Sequence, residues 1–305
     1  MPIHLDDLPT AGLRTFAEVV GAGSIEAAAA ELGVTASAVS QRIKALEHRV
    51  GAVLLQRTRP VRPTPTGEVV HRLARQVELA AHDAARALDD LESVHGLARV
   101  TLVANSDALA TWMLGTLADT AIEHDLLLEI LREDESHTTE FLQRGVAMAA
   151  VSTRAEPVQG CTATPLGTWE YLPMAHPAFV RRWFGSGFTL DAARRAPVVQ
   201  FDEKDTDTLD YAAWVLGETV TPPRHYVPDA IQYVAAIAHG LGWGMVEQSI
   251  LDAYPAFSHL VPLPGSRPFH VDLHWHQWAV DSPTLDAVAA AVQDRARSVL
   301  SPRHG

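Results

Sequence analysis

The chain is poor in residues that whole functional classes depend on. It has a single cysteine, Cys161, so no internal disulfide can form. A thiol nucleophile needs a base beside it, and the neighbours of Cys161 offer none, which leaves a small packed side chain. No apolar run reaches the length of a membrane span, and no basic segment followed by an apolar stretch opens the chain; both suggest a cytoplasmic protein without a membrane partner. Of 24 basic residues only Lys44 and Lys204 are lysines. The formal net charge is −13, which speaks against nucleic acid unless the charge is unevenly spread.

The spread is uneven. Residues 36–75 hold Arg42, Lys44, Arg49, Arg57, Arg59, Arg62, Arg72 and Arg75 against Glu47 and Glu68, a local +6 that leaves −19 for the rest. A basic patch on an acidic body suits a DNA reader with a separate second domain. The 305 residues allow such a module and one or two further domains.

Within the patch, Ser24 to Gly51 reads as two helices joined by a Gly33 turn. Thr35 or Ser37 can cap the second, in which Val39, Ile43, Leu46 and Val50 recur at helical spacing and make one buried face. Ser37, Ser40, Gln41, Arg42, Lys44 and Arg49 face outward. This is a helix-turn-helix with a polar, basic second helix, the pattern that fits a DNA major groove. Any two packed helices with a solvated face would look similar, so the flanking segments matter. Residues 5–21 add a first helix with Leu8, Leu13, Phe16 and Val20 inward. After Gly51, a short strand at Val53–Leu55 leads into a Pro-interrupted segment with Arg57, Arg59 and Arg62, which reads as a wing whose arginines reach the DNA backbone or minor groove.

Thr64 then caps a long helix with Pro65 at its first position. Val70, Leu73, Val77, Ala80, Ala84, Ala87 and Leu91 recur at steps of three and four, an a/d seam that would pair the helix with a second copy. Docking of the helix on its own domain is the alternative, and the alanines weaken the seam. From Ala98 the pattern becomes βα alternation, as in a parallel sheet covered by helices.

The order of helix, AAAELGVTASAVSQRIKALEHRVG, an LLQRT-type wing, a T-x-x-G-E start and a long helix resembles the LysR-type transcriptional regulators. VANSDALATWML, EDESHTTEFLQRGVAMAAVS, GCTATPLGTWEYLPMA, GLGWGMVEQ and LHWHQW resemble the lysine/arginine-responsive LysG/ArgP branch. The resemblance implies a multi-domain α+β chain: a winged helix-turn-helix at 1–65, a linker and dimerisation helix at 66–92, and a periplasmic-binding-protein-like α/β effector domain at 93–305. Two strands would cross between a first subdomain (about 93–164 and 268–305) and a second (about 165–267). It assigns Thr35 and Ser37 to the start of the recognition helix, Ser40, Gln41 and Lys44 to its DNA face, and Arg57, Arg59 and Arg62 to phosphates or the minor groove.

Such a sheet binds ligands at the carboxyl ends of its strands. The residues expected there are Asn105, Ser106, Asp107, Thr111 and Trp112 after the first strand, Asp134, Glu135 and His137 after the second, and Ser152 and Thr153 after the third. Asp202 and Asp229 follow in the second subdomain. Hydroxyls and helix N-termini suit an α-carboxylate, and the carboxylates suit an ammonium or guanidinium. For Asp107 and Asp229 a helix cap is an equal reading. The branch resemblance implies L-lysine or L-arginine as effector, with L-histidine possible, control of an amino-acid exporter gene, RNA polymerase as a partner, and a homodimer or tetramer on double-stranded DNA. Asp134, Glu135 and His137 lack a second cluster to complete a metal site, so neither metal nor cofactor is expected. Gly240-x-Gly-x-Gly follows a helix and reads as a stop. His274 and His276 alternate with Trp275 and Trp278 on a strand and read as sheet face. No catalytic constellation stands out, which argues against an enzyme. The rival readings are the same fold with another small-molecule effector, and an architectural or replication-origin DNA-binding protein.

Overall fold

The computed structural model describes residues 8–56, 58–88, 97–133 and 138–302. The chain begins with α1 (Thr10–Ala22), α2 (Ile25–Glu31) and α3 (Ala36–Val50). Leu13, Phe16 and Val19 of α1 are buried, while Val20, expected inward, is only partly so. The ends are set locally. Gly23 closes α1 at φ 69°, Ser24 Oγ accepts from the Ala27 amide at 3.1 Å, and Thr35 Oγ1 accepts from the Ala38 amide at 3.2 Å. Val39, Ile43, Leu46 and Val50 turn inward against α1 and α2, as their spacing requires.

The wing is a two-stranded hairpin, β1 (Leu55–Gln56) and β2 (Arg62–Pro63), with Leu55 opposite Pro63. It lies one residue beyond the strand expected at Val53–Leu55, because Leu54 is buried in the core and Val53 is exposed. The Val61 amide donates to the Gly23 carbonyl at 2.8 Å and ties the wing to the α1–α2 turn. The next helix, α4 (Pro65–Ala87), starts on Thr64, whose Oγ1 accepts from the Gly67 amide at 3.0 Å. Gly67 is required there: a Cβ would come within 2.1 Å of the Leu54 carbonyl oxygen.

Helix α4 divides its loyalties. Val70, Leu73, Ala74 and Val77 pack on the N-terminal core, and Leu79 on the core that follows. Val70, Leu73 and Val77 of the expected seam therefore have partners within their own chain. Ala80, Ala84 and Ala87 are exposed beside Leu88, and Leu91 lies outside the described residues. Polar contacts tie the same helix to the C-terminal body. Glu68 pairs with Arg144 at 2.8 Å, Arg72 donates to the Gly160 carbonyl at 2.9 Å, and Arg75 donates to the Arg99 carbonyl at 3.1 Å. Asp83 accepts from Ser282 Oγ at 2.5 Å.

Among the described residues that body is built on one nine-stranded mixed sheet. Its first lobe holds β3 (Ala98–Ala104), β4 (Leu126–Arg132) and β5 (Ala149–Ser152) in parallel. Between β3 and β4, α5 (Ser106–Ala108) runs through a π-helical turn, Leu109–Met113, into α6 (Leu114–Glu123); α7 (Thr139–Gln143) precedes β5. The chain then enters β6 (Cys161–Ala175), a 15-residue strand. Its Thr- and Pro-containing first half pairs with β11 (Phe269–Trp278) rather than with a sequence neighbour. Its far end pairs with β9 (Trp243–Glu247) in the second lobe.

The second lobe also contains α8 (Pro177–Trp183), α9 (Leu190–Arg195), β7 (Val198–Gln200), α10 (Asp207–Leu216), β8 (Arg224–Tyr226), α11 (Ala230–Ala238), α12 (Gln248–Ala253) and β10 (Val261–Pro262). Strand β11 returns to the first lobe, and α13 (Pro283–Val299) covers it. His274, Trp275, His276 and Trp278 are all buried, since both faces of β11 are covered.

Candidate nucleic-acid interface and effector crevice

On α3, Ser37, Gln41 and Lys44 are exposed and Ser40 is partly so; at spacings of three and four they share one face. Thr35 is exposed at the helix start while its hydroxyl serves as the cap. Arg42 points elsewhere: its Nη1 donates to Thr15 Oγ1 at 3.4 Å, toward α1. Arg59 and Arg62 are exposed on the wing, and Arg57 lies outside the described residues. Behind this surface His71 of α4 packs edge-on to Phe16, and burial holds its imidazole down to a pKa of about 4.

The second region is the crevice between the lobes. Asn105, at the carboxyl end of β3, caps α5 by accepting from the Ala108 amide at 3.1 Å. Ser106 and Asp107 follow at the helix start, both half-buried. Tyr171 of the crossing strand donates its hydroxyl to Asp107 Oδ2 at 2.8 Å. Tyr171 stands opposite Glu247 in the β6–β9 register, so these two side chains leave the sheet on one face. Burial raises the Asp107 pKa to about 7, and the carboxylates of Glu247, Asp207 and Asp205 push the same way. Burial also raises the pKa of Glu247. Among the described residues, the charges that raise the Asp107 pKa are carboxylates from the opposite lobe.

The other expected residues have varied settings. Thr111 Oγ1 donates to the Asp107 carbonyl at 2.7 Å, and Trp112 is buried in the first-lobe core. Ser152 is buried at the end of β5, with Thr153 half-buried beside it. Asp202 Oδ1 accepts from the Lys204 amide at 2.7 Å, an exposed turn. Asp229 Oδ1 accepts from the Ile231 and Gln232 amides at 3.1 and 3.0 Å, the geometry of a helix cap. Asp134, Glu135 and His137 lie outside the described residues. Among the described residues no group of three metal-ligating side chains assembles. Sequence reasoning did not single out Tyr171, Glu247, Asp205 or Asp207. The acidic run at 202–207 was the one visible signal; Tyr171 and Glu247 meet only through strand register.

Hydrogen bonds also bridge the crevice. Arg132 Nη1 donates to the Pro228 carbonyl at 3.1 Å, and Tyr254 Oη donates to the Ala110 carbonyl, inside the π-helical turn, at 3.1 Å.

A basic winged helix-turn-helix on a long helix, joined to a two-lobed α/β body with a charged crevice, defines a DNA-binding regulator that carries its own ligand-binding domain. Residues 11–68 match the bacterial regulatory helix-turn-helix protein model of the lysR family, and residues 95–297 match the LysR substrate binding domain. The chain belongs to the LysR family of transcriptional regulators. It is 38% identical to the HTH-type transcriptional regulator LysG of Mycobacterium tuberculosis, over 95% of this chain and 92% of that one. It is 34% identical to the lysine export transcriptional regulatory protein LysG of Corynebacterium glutamicum, over 99% of each. A full-length structure of LysG from Corynebacterium glutamicum with bound effector Arg is similar at a TM-score of 0.73 and 32% identity, covering 97% of this chain and 100% of that one.

Proposed function

We propose that this regulator senses a basic amino acid, L-arginine or L-lysine with L-histidine third, in the crevice between its lobes. The observation that carries the reading is the setting of Asp107, whose carboxylate accepts from Tyr171 of the crossing strand at 2.8 Å and is acted on by the second-lobe carboxylates of Glu247, Asp207 and Asp205. Such a site is relieved by a cation and penalises a neutral or acidic ligand. The bound arginine in the related LysG structure supports the same ligand class.

In this reading the chain divides into the DNA-binding module at 1–65, the linker helix at 66–92 and the effector domain at 93–305. Thr35, Ser37, Ser40, Gln41 and Lys44 meet bases and backbone, and Arg57, Arg59 and Arg62 hold phosphates. A homodimer, or a tetramer of two dimers, sets two recognition helices on two half-sites. The exposed face at Ala80, Ala84, Ala87 and Leu88 supplies part of its contact. The protein works in the cytoplasm and has a regulatory rather than an enzymatic role. The target is an exporter gene for the sensed amino acid, in keeping with the name of the corynebacterial relative, and effector binding changes the contacts made with RNA polymerase.

The test is capture of genomic fragments from the source genome by the full-length protein, with and without L-arginine or L-lysine. Enrichment of a promoter fragment whose footprint changes on adding either amino acid is the expected result. Enrichment that ignores both, or fragments bound without sequence preference, sinks the reading in favour of another effector or an architectural role.

A further inference from the structure

Helix α4 lies along the first lobe in a dock that is mostly polar, and Arg72 is its centre. The side chain runs through a slot between two tight turns. Gly145 and Gly160 have positive φ, 69° and 72°, and a Cβ on them would come within 2.5 and 2.8 Å of Arg72. Arg72 Nη2 donates to the Gly160 carbonyl at 2.9 Å and to Cys161 Sγ at 3.8 Å, and the guanidinium stands 5.6 Å from the centre of the Trp278 ring. Cys161 opens β6, Trp278 ends β11, and the two are partners in the register. Arg72 therefore grips the foot of both crossing strands. The same strands remain paired as far as Tyr171 and Phe269, where Tyr171 holds Asp107 in the crevice.

A second clasp lies further along the helix. Asp83 accepts from Ser282 Oγ at 2.5 Å, from the Thr284 amide at 3.3 Å and from Thr284 Oγ1. Ser282 is the N-cap of α13, and Ser282 and Thr284 are buried, so a carboxylate on α4 serves the free amide end of a first-lobe helix. Arg75 and Arg86 donate to the main-chain oxygens of Arg99 and His124, and Glu68 pairs with Arg144. All these partners belong to the first lobe. Among the described residues, Leu79 is the one α4 side chain buried in that lobe's core. Such a seam parts at little cost, because water can replace its hydrogen bonds and little apolar surface is lost. Opening would also relieve His82 Nε2, which is buried without a hydrogen-bond partner among the described residues.

We propose that this dock is a latch with two clasps, Arg72 on the crossing strands and Asp83 on α13, and that a ligand in the crevice controls the DNA-binding module by shifting the latch between shut and open. The control by ligand rests on the reading of the crevice as the effector site; the latch itself does not. Helix α4 contributes Val70, Leu73, Ala74 and Val77 to the core of the DNA-binding module, so a shut latch fixes the module's orientation on the first lobe. A change in the angle between the lobes twists the paired strands β6 and β11. Arg72 then carries the twist into α4 or lets go. The latch is the two-state element on which the crevice and the DNA surface act together. Cys161 reports its state. It is the chain's single cysteine, Arg72 covers it, and burial raises its pKa, so a shut latch keeps the thiol slow toward electrophiles.

The experiment is the rate of modification of Cys161 by N-ethylmaleimide in the full-length protein, read by mass spectrometry. It compares the wild type, with and without L-arginine or L-lysine, with Asp83→Ala, Thr284→Val and the double variant. Asp83 lies about three turns of α4 from Arg72, roughly 16 Å, and does not cover the thiol itself. Asp83→Ala keeps a good helix former and removes the second clasp, so it should speed modification roughly fivefold, the scale of a lost helix cap. Thr284→Val should act in the same direction from the other side and add nothing to Asp83→Ala in the double variant. The amino acid should change the wild-type rate about threefold or more. Single variants that react at the wild-type rate overturn the latch. A variant that reacts as fast as the urea-unfolded chain has lost its fold, and the other single variant and the wild-type comparison then decide. An amino acid that binds by calorimetry but leaves the wild-type rate unchanged overturns the control by ligand and leaves the effector reading standing. Absence of binding overturns the effector reading, and the clasp variants still decide the latch.

Discussion

The guanidinium of Arg132 lies 5.2 Å above the ring of Phe201, and the two residues belong to opposite lobes. Arg132 ends β4 in the first lobe, Phe201 follows β7 in the second, and the Arg132–Pro228 hydrogen bond reinforces the contact. The pair spans the mouth of the crevice. An exposed cation–π contact contributes about 0.5–1 kcal/mol. If closure is the state that binds ligand, its loss reduces affinity by the same free energy. Arg132→Ala should therefore weaken the effector roughly two- to fivefold. Calorimetry on that variant checks this, and an unchanged affinity would show that the bridge does not favour the binding state.

His71 links stability to pH. It is buried against Phe16, and its folded pKa of about 4 lies below the ordinary 6.5. The folded chain prefers the neutral imidazole, so the unfolded chain binds more protons between these two values. Stability is then fully present above pH 6.5 and is lost as pH falls toward 4, by an amount on the order of 3 kcal/mol for this shift. Urea unfolding of the full-length chain, followed from pH 7.5 to 4.5, should show the decline, and His71→Gln should flatten it. An equal slope in the variant would assign the decline to other groups.

The helix-turn-helix is legible because its determinants are local. Thr35 and Ser24 cap the helices they precede, and Val39, Ile43, Leu46 and Val50 need only helical periodicity to declare the inner face. Strand β6 is harder to see. Its Thr- and Pro-containing start looks like a loop until Cys161–Pro165 is matched with His274–Trp278, more than a hundred residues on. The crevice divides in the same way. Asp107 is visible as a charge at a helix start after a buried strand. Glu247 becomes its neighbour only once β9 lies beside β6, and nothing in the local sequence marks Tyr171. Asp202 and Asp229 carry the same kind of local signal as Asp107, yet their carboxylates bond backbone amides in a turn and a cap.

The proposed DNA surface would make two kinds of contact that respond differently to mutation. Arg59 and Arg62 belong to a hairpin segment tied to the α1–α2 turn through Val61, and in the proposed complex their guanidinium groups would hold the flank of the site rather than the base edges. Each phosphate contact contributes about 0.9 to the slope of log affinity against log salt. Arg59→Ala with Arg62→Ala should weaken all DNA sequences alike and reduce that slope by about two. Gln41 instead sits mid-face on α3 between Ser37 and Lys44, where its amide can pair with an adenine edge. Gln41→Ala should leave the salt slope intact and cost about 1–3 kcal/mol on the preferred operator alone. Fluorescence anisotropy over a salt series, on operator and scrambled duplexes, reads both quantities. A wing double variant with an unchanged slope would move the phosphate contacts off the hairpin, and equal losses of Gln41→Ala on both duplexes would remove base reading from that face.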